Sequence, residues 1–136
     1  MEIKKLKVFK DERGDLTPIE FSDLPFIPLR LFIVKNCEKG IKRGGHAHHK
    51  TQQLLICLKG SIKAVTHDGV FESTGIFNEG DTAFIDTYQW DYQEFLTGNE
   101  VLLVLCSTPF NIDDYILDYS DFLSITRERK NGEHQL

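Results

Sequence analysis

Cysteine is scarce in this chain and odd in number. Cys37, Cys57 and Cys106 lie far apart with no C-x-x-C pair, so neither a zinc knuckle nor a redox pair is expected. Cys57 in LLICL and Cys106 in VLLVLC read as small buried apolar residues, reduced thiols of a cytosolic protein. Basic charge is also short: 16 Lys and Arg face 21 Asp and Glu, a formal charge of −5. With no basic stripe interleaved with aromatics, nucleic acid and anionic membrane are poor partners. No apolar run approaches the roughly 20 residues of a membrane helix. The N-terminus MEIKKLKVFKDERG has neither an apolar h-region nor a small-residue cleavage site. A soluble, cytoplasmic protein is expected. No repeat, low-complexity tract or linker interrupts residues 1–136, so one domain is expected.

What the chain does have is core material and punctuation. Hydrophobic residues make up 40% and aromatics 11%, enough for a globular core without disulfides. Glycines separate short runs rich in Ile, Val, Leu, Phe and Thr, which read as strands bounded by turns. The expected strands are Lys5–Phe9, Asp15–Glu20, Leu29–Val34, Arg43–His48, Gln53–Leu58, Ser61–His67, Phe71–Phe77, Thr82–Ile85, Trp90–Phe95 and Val101–Ser107. His67-Asp68-Gly69 is a tight hairpin signal. Many short strands at this spacing predict a sandwich or barrel. The tail differs. Tyr115, Ile116, Tyr119, Phe122 and Leu123 fit one face of a helix, with Asp113 or Asp114 placed to cap it. The last ten residues, RERKNGEHQL, read as a polar, frayed end.

The densest chemistry is RGGHAHHKTQQ, Arg43 to Gln53, with three histidines in four residues. Histidine both binds metals and moves protons near neutral pH. On an extended strand His46 and His48 share a face and His49 points away, so two of the three can serve one site. Counting outward, five residues separate Gly40 from His46, one separates His46 from His48, four precede Gln53 and six more precede Gly60. This resembles the first motif of the cupin superfamily, G-x5-H-x-H-x(3,4)-E-x6-G. The second motif, started at Gly80, puts Asp91 where cupins carry a histidine. The resemblance implies an all-β double-stranded β-helix, a small jelly-roll barrel with one pocket, followed here by a short C-terminal helix. A metal-binding cupin would use the positions of His46, His48, Gln53 and Asp91. A neutral amide at Gln53 is a weak ligand, while His46, His48 and Asp91 still make a possible facial triad for non-haem iron.

Three further segments narrow the family. DERGDLTPIE (Asp11–Glu20), RGGHAHHKTQQLLICLKGSIKAVTHDG (Arg43–Gly69) and DDYILDYSDFL (Asp113–Leu123) together resemble the sugar-nucleotide 3,4-ketoisomerases, small cupins that act on dTDP-4-keto-6-deoxyglucose. The resemblance implies an isomerase with no metal or other cofactor. It would move a ketone from C4 to C3 through an enediol, in the cytoplasm, in deoxysugar biosynthesis for lipopolysaccharide or another surface glycan. It implies a homodimer that exchanges N-terminal strands. Such chemistry needs a base near neutral pKa, a proton donor and a holder for the developing oxyanion. The resemblance gives His46 as the C3 base and His48 as its proton-handling partner. Arg13 and Arg43 would bind the diphosphate, Gln53 a sugar hydroxyl, and Tyr88 and Trp90 would flank the base or sugar at the barrel mouth. Departures from the family are Asp91 for the histidine that commonly follows the tryptophan, Phe32 and Ile33 where many relatives carry a tyrosine, and Leu117 for a frequent arginine. Asp91 is expected to share the catalysis. Two other readings remain open: a metal-dependent cupin such as an oxygenase, and a sugar-nucleotide-binding module without turnover.

Overall fold

The computed structural model describes residues 1–134. The strands are β1 (Ile3–Lys5), β2 (Phe9–Asp11), β3 (Gly14–Leu16), β4 (Arg30–Lys35), β5 (Lys42–His48), β6 (Gln53–Lys59), β7 (Ser61–His67), β8 (Glu72–Asn78), β9 (Asp81–Ile85), β10 (Trp90–Phe95), β11 (Val101–Cys106) and β12 (Tyr115–Ile116). One helix, α1 (Tyr119–His134), follows them. Two five-stranded sheets form, in the orders β1-β9-β6-β11-β4 and β12-β5-β10-β7-β8. β2 and β3 pair only with each other. All pairings are antiparallel. The result is an all-β jelly-roll barrel, as the cupin resemblance implies, with one C-terminal helix, as the periodicity of the tail predicts.

Alternation builds the core. On β10, Asp91, Gln93 and Phe95 are buried while Trp90, Tyr92 and Glu94 are only partly so, the two-residue period of a strand with one face in the barrel. Leu55 and Cys57 on β6, Ile62 and Ala64 on β7, Phe77 on β8, Phe95 on β10 and Leu102 and Val104 on β11 form one buried cluster between the sheets. Each large side chain there contributes about 1.5–3 kcal/mol by leaving water. Outside the barrel, Leu6, Ile19, Leu24 and Phe26 of the N-terminal segment cover Leu54, Ile56 and Leu105. Phe122 of α1 covers Ala47 and Ile116. The β7–β8 turn forms where His67-Asp68-Gly69 predicts it. Asp68 Oδ1 accepts the backbone N–H groups of Val70 and Phe71, each at 2.8 Å.

The ends depart from the sequence reading. The expected strand Lys5–Phe9 is split into β1 and β2, because β1 pairs with β9 while Phe9 belongs to a separate hairpin. The next expected strand stops at Leu16 rather than Glu20; Pro18 has no N–H to extend a ladder. In the tail, Tyr115 and Ile116 are not helical. They pair with His48 and Ala47 as β12, and the helix starts only at Tyr119. Its cap is therefore Asp118, whose Oδ1 accepts the Asp121 N–H at 3.0 Å, rather than Asp113 or Asp114. The expected frayed end is helical through His134; Gln135 and Leu136 lie outside the described residues.

Apolar side chains are left uncovered on and before β4. Ile27, Leu29, Leu31 and Ile33, on and before β4, are each more than half exposed. So are Phe9 and Leu16 of the β2–β3 hairpin.

Phe95 has no exposed surface, whereas Phe71 is 74% exposed. Phe95→Ala is expected to lower the unfolding free energy by about 3–5 kcal/mol, and Phe71→Ala by no more than about 0.5 kcal/mol, as read from urea denaturation.

Candidate active site

Between the sheets lies a cavity of about 320 Å³. Its wall includes Arg30 and Phe32 from β4, Arg43 and His46 from β5, Gln53 from β6, Asp91 and Gln93 from β10, and Tyr115 from β12. A larger groove of about 790 Å³ runs along the N-terminal segment, past Lys4, Leu24 and Phe84, and contains none of the predicted site residues. The chemistry belongs to the smaller space.

Arg43 and His46 both line this cavity although they are three residues apart, which strict alternation forbids. A bulge makes it possible. Asp91 pairs with His46 but Tyr92 pairs with Gly44, so Gly45 is the extra residue of β5. Gly44 and Gly45 have φ of 95° and 79°, left-handed values that glycine adopts without penalty. A Cβ on Gly44 would lie 3.0 Å from the Asp91 carbonyl oxygen and from Tyr92 Cα. The glycine pair thus lets β5 press against β10 and sets His46 directly across from Asp91.

His48 is buried, and its Nδ1 lies 2.9 Å from Asp114 Oδ2. Asp114 also accepts the Thr51 hydroxyl and the Lys50 N–H, the latter at 2.7 Å. Burial raises the Asp114 pKa, but these hydrogen bonds outweigh it and hold the carboxyl below its ordinary value. A carboxylate here orients His48 with Nδ1–H donating, which leaves Nε2 with its lone pair. Nε2 has no hydrogen-bond partner among the described residues. The His48 ring meets the His46 ring edge-on at 5.0 Å, and the Tyr115 ring lies 4.4 Å from His48 and 5.1 Å from His46.

Burial, then the neighbouring His48, pushes His46 down to about 4. At neutral pH it is an uncharged base. Burial also lowers His48, against the opposing pull of Asp114. Asp91 moves the other way: burial raises it to about 7, opposed by a hydrogen bond from Gln93. Gln93 Nε2 donates to Asp91 Oδ2, while Oδ1 is unpartnered among the described residues.

The chain matches the family model described as FdtA: WxcM-like, C-terminal, over residues 1–127. It belongs to the WxcM-like, C-terminal family. A curated relative, the TDP-4-oxo-6-deoxy-alpha-D-glucose-3,4-oxoisomerase of Aneurinibacillus thermoaerophilus, is 28% identical over 123 residues, covering 89% of this chain and 88% of its own. A 3,4-ketoisomerase from Helicobacter canadensis superposes with a TM-score of 0.88 at 30% identity, covering 93% of this chain and 96% of that one. A histidine-to-asparagine variant of the Thermoanaerobacterium thermosaccharolyticum 3,4-ketoisomerase, solved with TDP-4-keto-6-deoxyglucose, superposes equally well, with a TM-score of 0.88 at 33% identity and 94% of each chain covered. The fold is cupin-like, as the residue spacing implies.

Within this WxcM-like barrel the predicted residues divide. His46, Gln53, Asp91 and Arg43 line the cavity, and His48 stands against His46. His49 points away, as alternation predicts, with its Nδ1 3.2 Å from the Tyr88 hydroxyl. Three predicted residues are elsewhere. Trp90 lies on the opposite face of β10 from Asp91 and packs on Tyr119 and Phe122 of α1. Tyr88 faces the same helix, with Arg129 3.5 Å over its ring. Neither flanks the cavity: Trp90, one position from the inward Asp91, must point outward, and Tyr88 sits in the turn before β10 with φ of 56°. Arg13 is exposed on the β2–β3 hairpin, paired with Asp11 at 2.6 Å. The triad reading of His46, His48 and Asp91 also fails on geometry. Among the described residues, no three His, Cys, Asp or Glu side chains are grouped to hold a metal ion.

The sequence reading missed Asp114, Tyr115, Arg30 and Gln93. Arg30 and Gln93 carried a signal, two residues from Phe32 and Asp91 on the same strand faces. Asp114 and Tyr115 lie in DDYILDYSDFL, a segment that carries the resemblance, but only the β5–β12 register brings them to His48.

Asp91 titrates near 7 in the fold but at 3.8 in the open chain. The folded state therefore holds a proton that the unfolded state has lost, and stability contributed by Asp91 drains away as pH rises from about 4 to about 7. Asp91→Asn removes this penalty. Its melting temperature is expected to exceed that of the parent by about 4 °C or more at pH 8, with the gap closing as pH falls toward 4.

Proposed function

We propose that this protein is a TDP-4-keto-6-deoxyglucose 3,4-ketoisomerase that moves the ketone from C4 to C3 through an enediol. The observation that carries the reading is the direct cross-strand pairing of an uncharged base, His46, with a protonated acid, Asp91, inside one cavity. Sugar ketoisomerisation needs that opposition: one group takes a proton from carbon while another gives one.

In this reading His46 removes the C3 proton. The C–H electrons form the C3=C4 bond, and the C4 carbonyl becomes an enolate oxygen. His48, held by Asp114 with Nε2 unpaired, takes the O3 hydroxyl proton and delivers it to O4. As the C3 carbonyl forms, C4 takes its proton from Asp91. Exchange with water then returns His46 and Asp91 to their starting states. Gln53 hydrogen-bonds a sugar hydroxyl, and Arg43 at the cavity rim meets the diphosphate, for which a guanidinium fork is suited. We read residues 1–136 as one catalytic domain acting in the cytoplasm on a deoxysugar bound for a surface glycan. Among the described residues no helix is long and apolar enough to cross a membrane.

The pH profile of kcat/KM is expected to rise through about 4, as His46 loses its proton, and to fall through about 7, as Asp91 loses its own. NMR of TDP-4-keto-6-deoxyglucose with the protein in D2O should show the 3-keto product with solvent deuterium at C4. His46→Asn should cut kcat by about a hundredfold or more. A parent protein inert toward this substrate refutes the ketoisomerase; a fully active His46→Asn protein refutes only the base assignment.

We also propose a homodimer with exchanged N-terminal strands. Leu29, Leu31 and Ile33 on and before β4, and Phe9 and Leu16 of the hairpin, are exposed, as apolar residues of an association surface would be in a single chain. Exchange would carry the hairpin, with Arg13, to the partner's cavity and its diphosphate. Light scattering is expected to give twice the 15.7 kDa chain mass. Leu31→Glu with Ile33→Glu should halve it and weaken TDP binding; a monomeric parent would rule out the exchange.

A further inference from the structure

One cation inside the cavity has no assigned task. Arg30 opens β4 and shares its inward face with Phe32 and Val34. Across the sheet it pairs with Cys106, and Cys106 pairs with Gln53. Arg30 and Gln53 thus stand in one cross-strand row, separated by the small Cys106 side chain. The Arg30 guanidinium lies over two rings, 4.8 Å from the Phe32 centroid and 5.1 Å from the Phe110 centroid. Among the described residues no carboxylate forms an ion pair with it. Its charge is felt at buried His48, which it pushes further down.

A half-buried guanidinium clamped between two phenyl faces has restricted orientation. Lacking a carboxylate partner, it keeps its donors for an anion. Of the other wall residues, Phe32 has no hydroxyl, Gln53 Nε2 is directed to Cys106 Sγ at 3.6 Å, Gln93 Nε2 donates to Asp91, and Arg43 and Tyr115 come from β5 and β12.

We propose that Arg30 holds the C4 oxygen while it carries the enediolate charge. This inference rests on the ketoisomerase reading. When His46 takes the C3 proton, the electron pair moves into C3=C4 and the carbonyl pair moves onto O4. Arg30 donates to that oxygen until the proton from O3 reaches it. Placing a fixed donor where charge develops, in a space with little water, is an effective form of transition-state stabilisation.

The test compares the parent with Arg30→Met and Arg30→Lys. Turnover is followed by NMR, TDP affinity by calorimetry and folding by thermal melting. Arg30→Met should lose about a hundredfold in kcat with TDP affinity unchanged, and Arg30→Lys should recover part of the loss. Weakened TDP binding with kcat intact at saturation would make Arg30 a diphosphate contact and overturn the proposal. Wild-type kcat in Arg30→Met would overturn it too. If Arg30→Met does not fold, Arg30→Lys decides: unimpaired TDP binding with reduced kcat supports the oxyanion role, and an unaltered kcat refutes it. An inert parent protein instead refutes the ketoisomerase reading itself, so the two failures are distinct.

Discussion

The contact between His48 and Asp114 ties the molecule together. Both side chains are almost wholly buried, 4% and 8% exposed. Burying a carboxylate is expensive unless its oxygens find partners. Here Thr51 and the Lys50 N–H satisfy the carboxylate, and the backbone of β12 pairs with β5 alongside it. The hydrogen bond thereby fixes where the tail rejoins the barrel. That junction places Tyr115 against both histidines and starts α1 where Phe122 can seal the outside of β5. Loss of the carboxylate would disturb the tail, the ring orientation of His48 and the cavity wall together.

Two kinds of burial meet in this barrel. Phe77, Phe95, Ile62 and Leu102 leave water at no electrostatic cost and supply cohesion. His46, His48 and Asp91 are enclosed by the same walls, and enclosure shifts each of them toward its neutral form. One low-dielectric interior yields an uncharged imidazole and a protonated carboxylic acid near neutral pH, the states that proton transfer on carbon requires. The hydrophobic packing on β6, β7 and β11 is therefore part of the chemistry of β5 and β10.

Much of this was legible in the sequence because it depends on local alternation. The strands from β4 to β11 fall where glycine-bounded apolar runs place them, and the pairing of His46 with His48 against an outward His49 follows from strand parity alone. The spacing from Gly40 to Gly60 located the cavity wall, including Gln53. What failed was long-range. Tyr115 and Ile116 fit a helical face by periodicity, yet pairing with β5 claimed them as strand. Trp90 and Tyr88 are expected at the barrel mouth, but Trp90 is one step from the inward Asp91 and takes the opposite face, while Tyr88 lies in the turn before β10 and meets Arg129 of α1. Arg30 opens a strand dominated by hydrophobic residues, and its inward position follows from the β4–β11–β6 register rather than from local sequence.

The glycine pair in β5 acts as a phase shifter. Upstream of Gly45 the odd-numbered Arg43 faces the interior; downstream the even-numbered His46 and His48 do. A strand without that extra residue could present the rim arginine or the histidines to the cavity, but not both. Spacing here is therefore as much a determinant of the site as residue identity. A homologue could keep every side chain of RGGHAHH and lose the constellation through a single-residue deletion, while one with altered side chains and the same count would preserve the geometry.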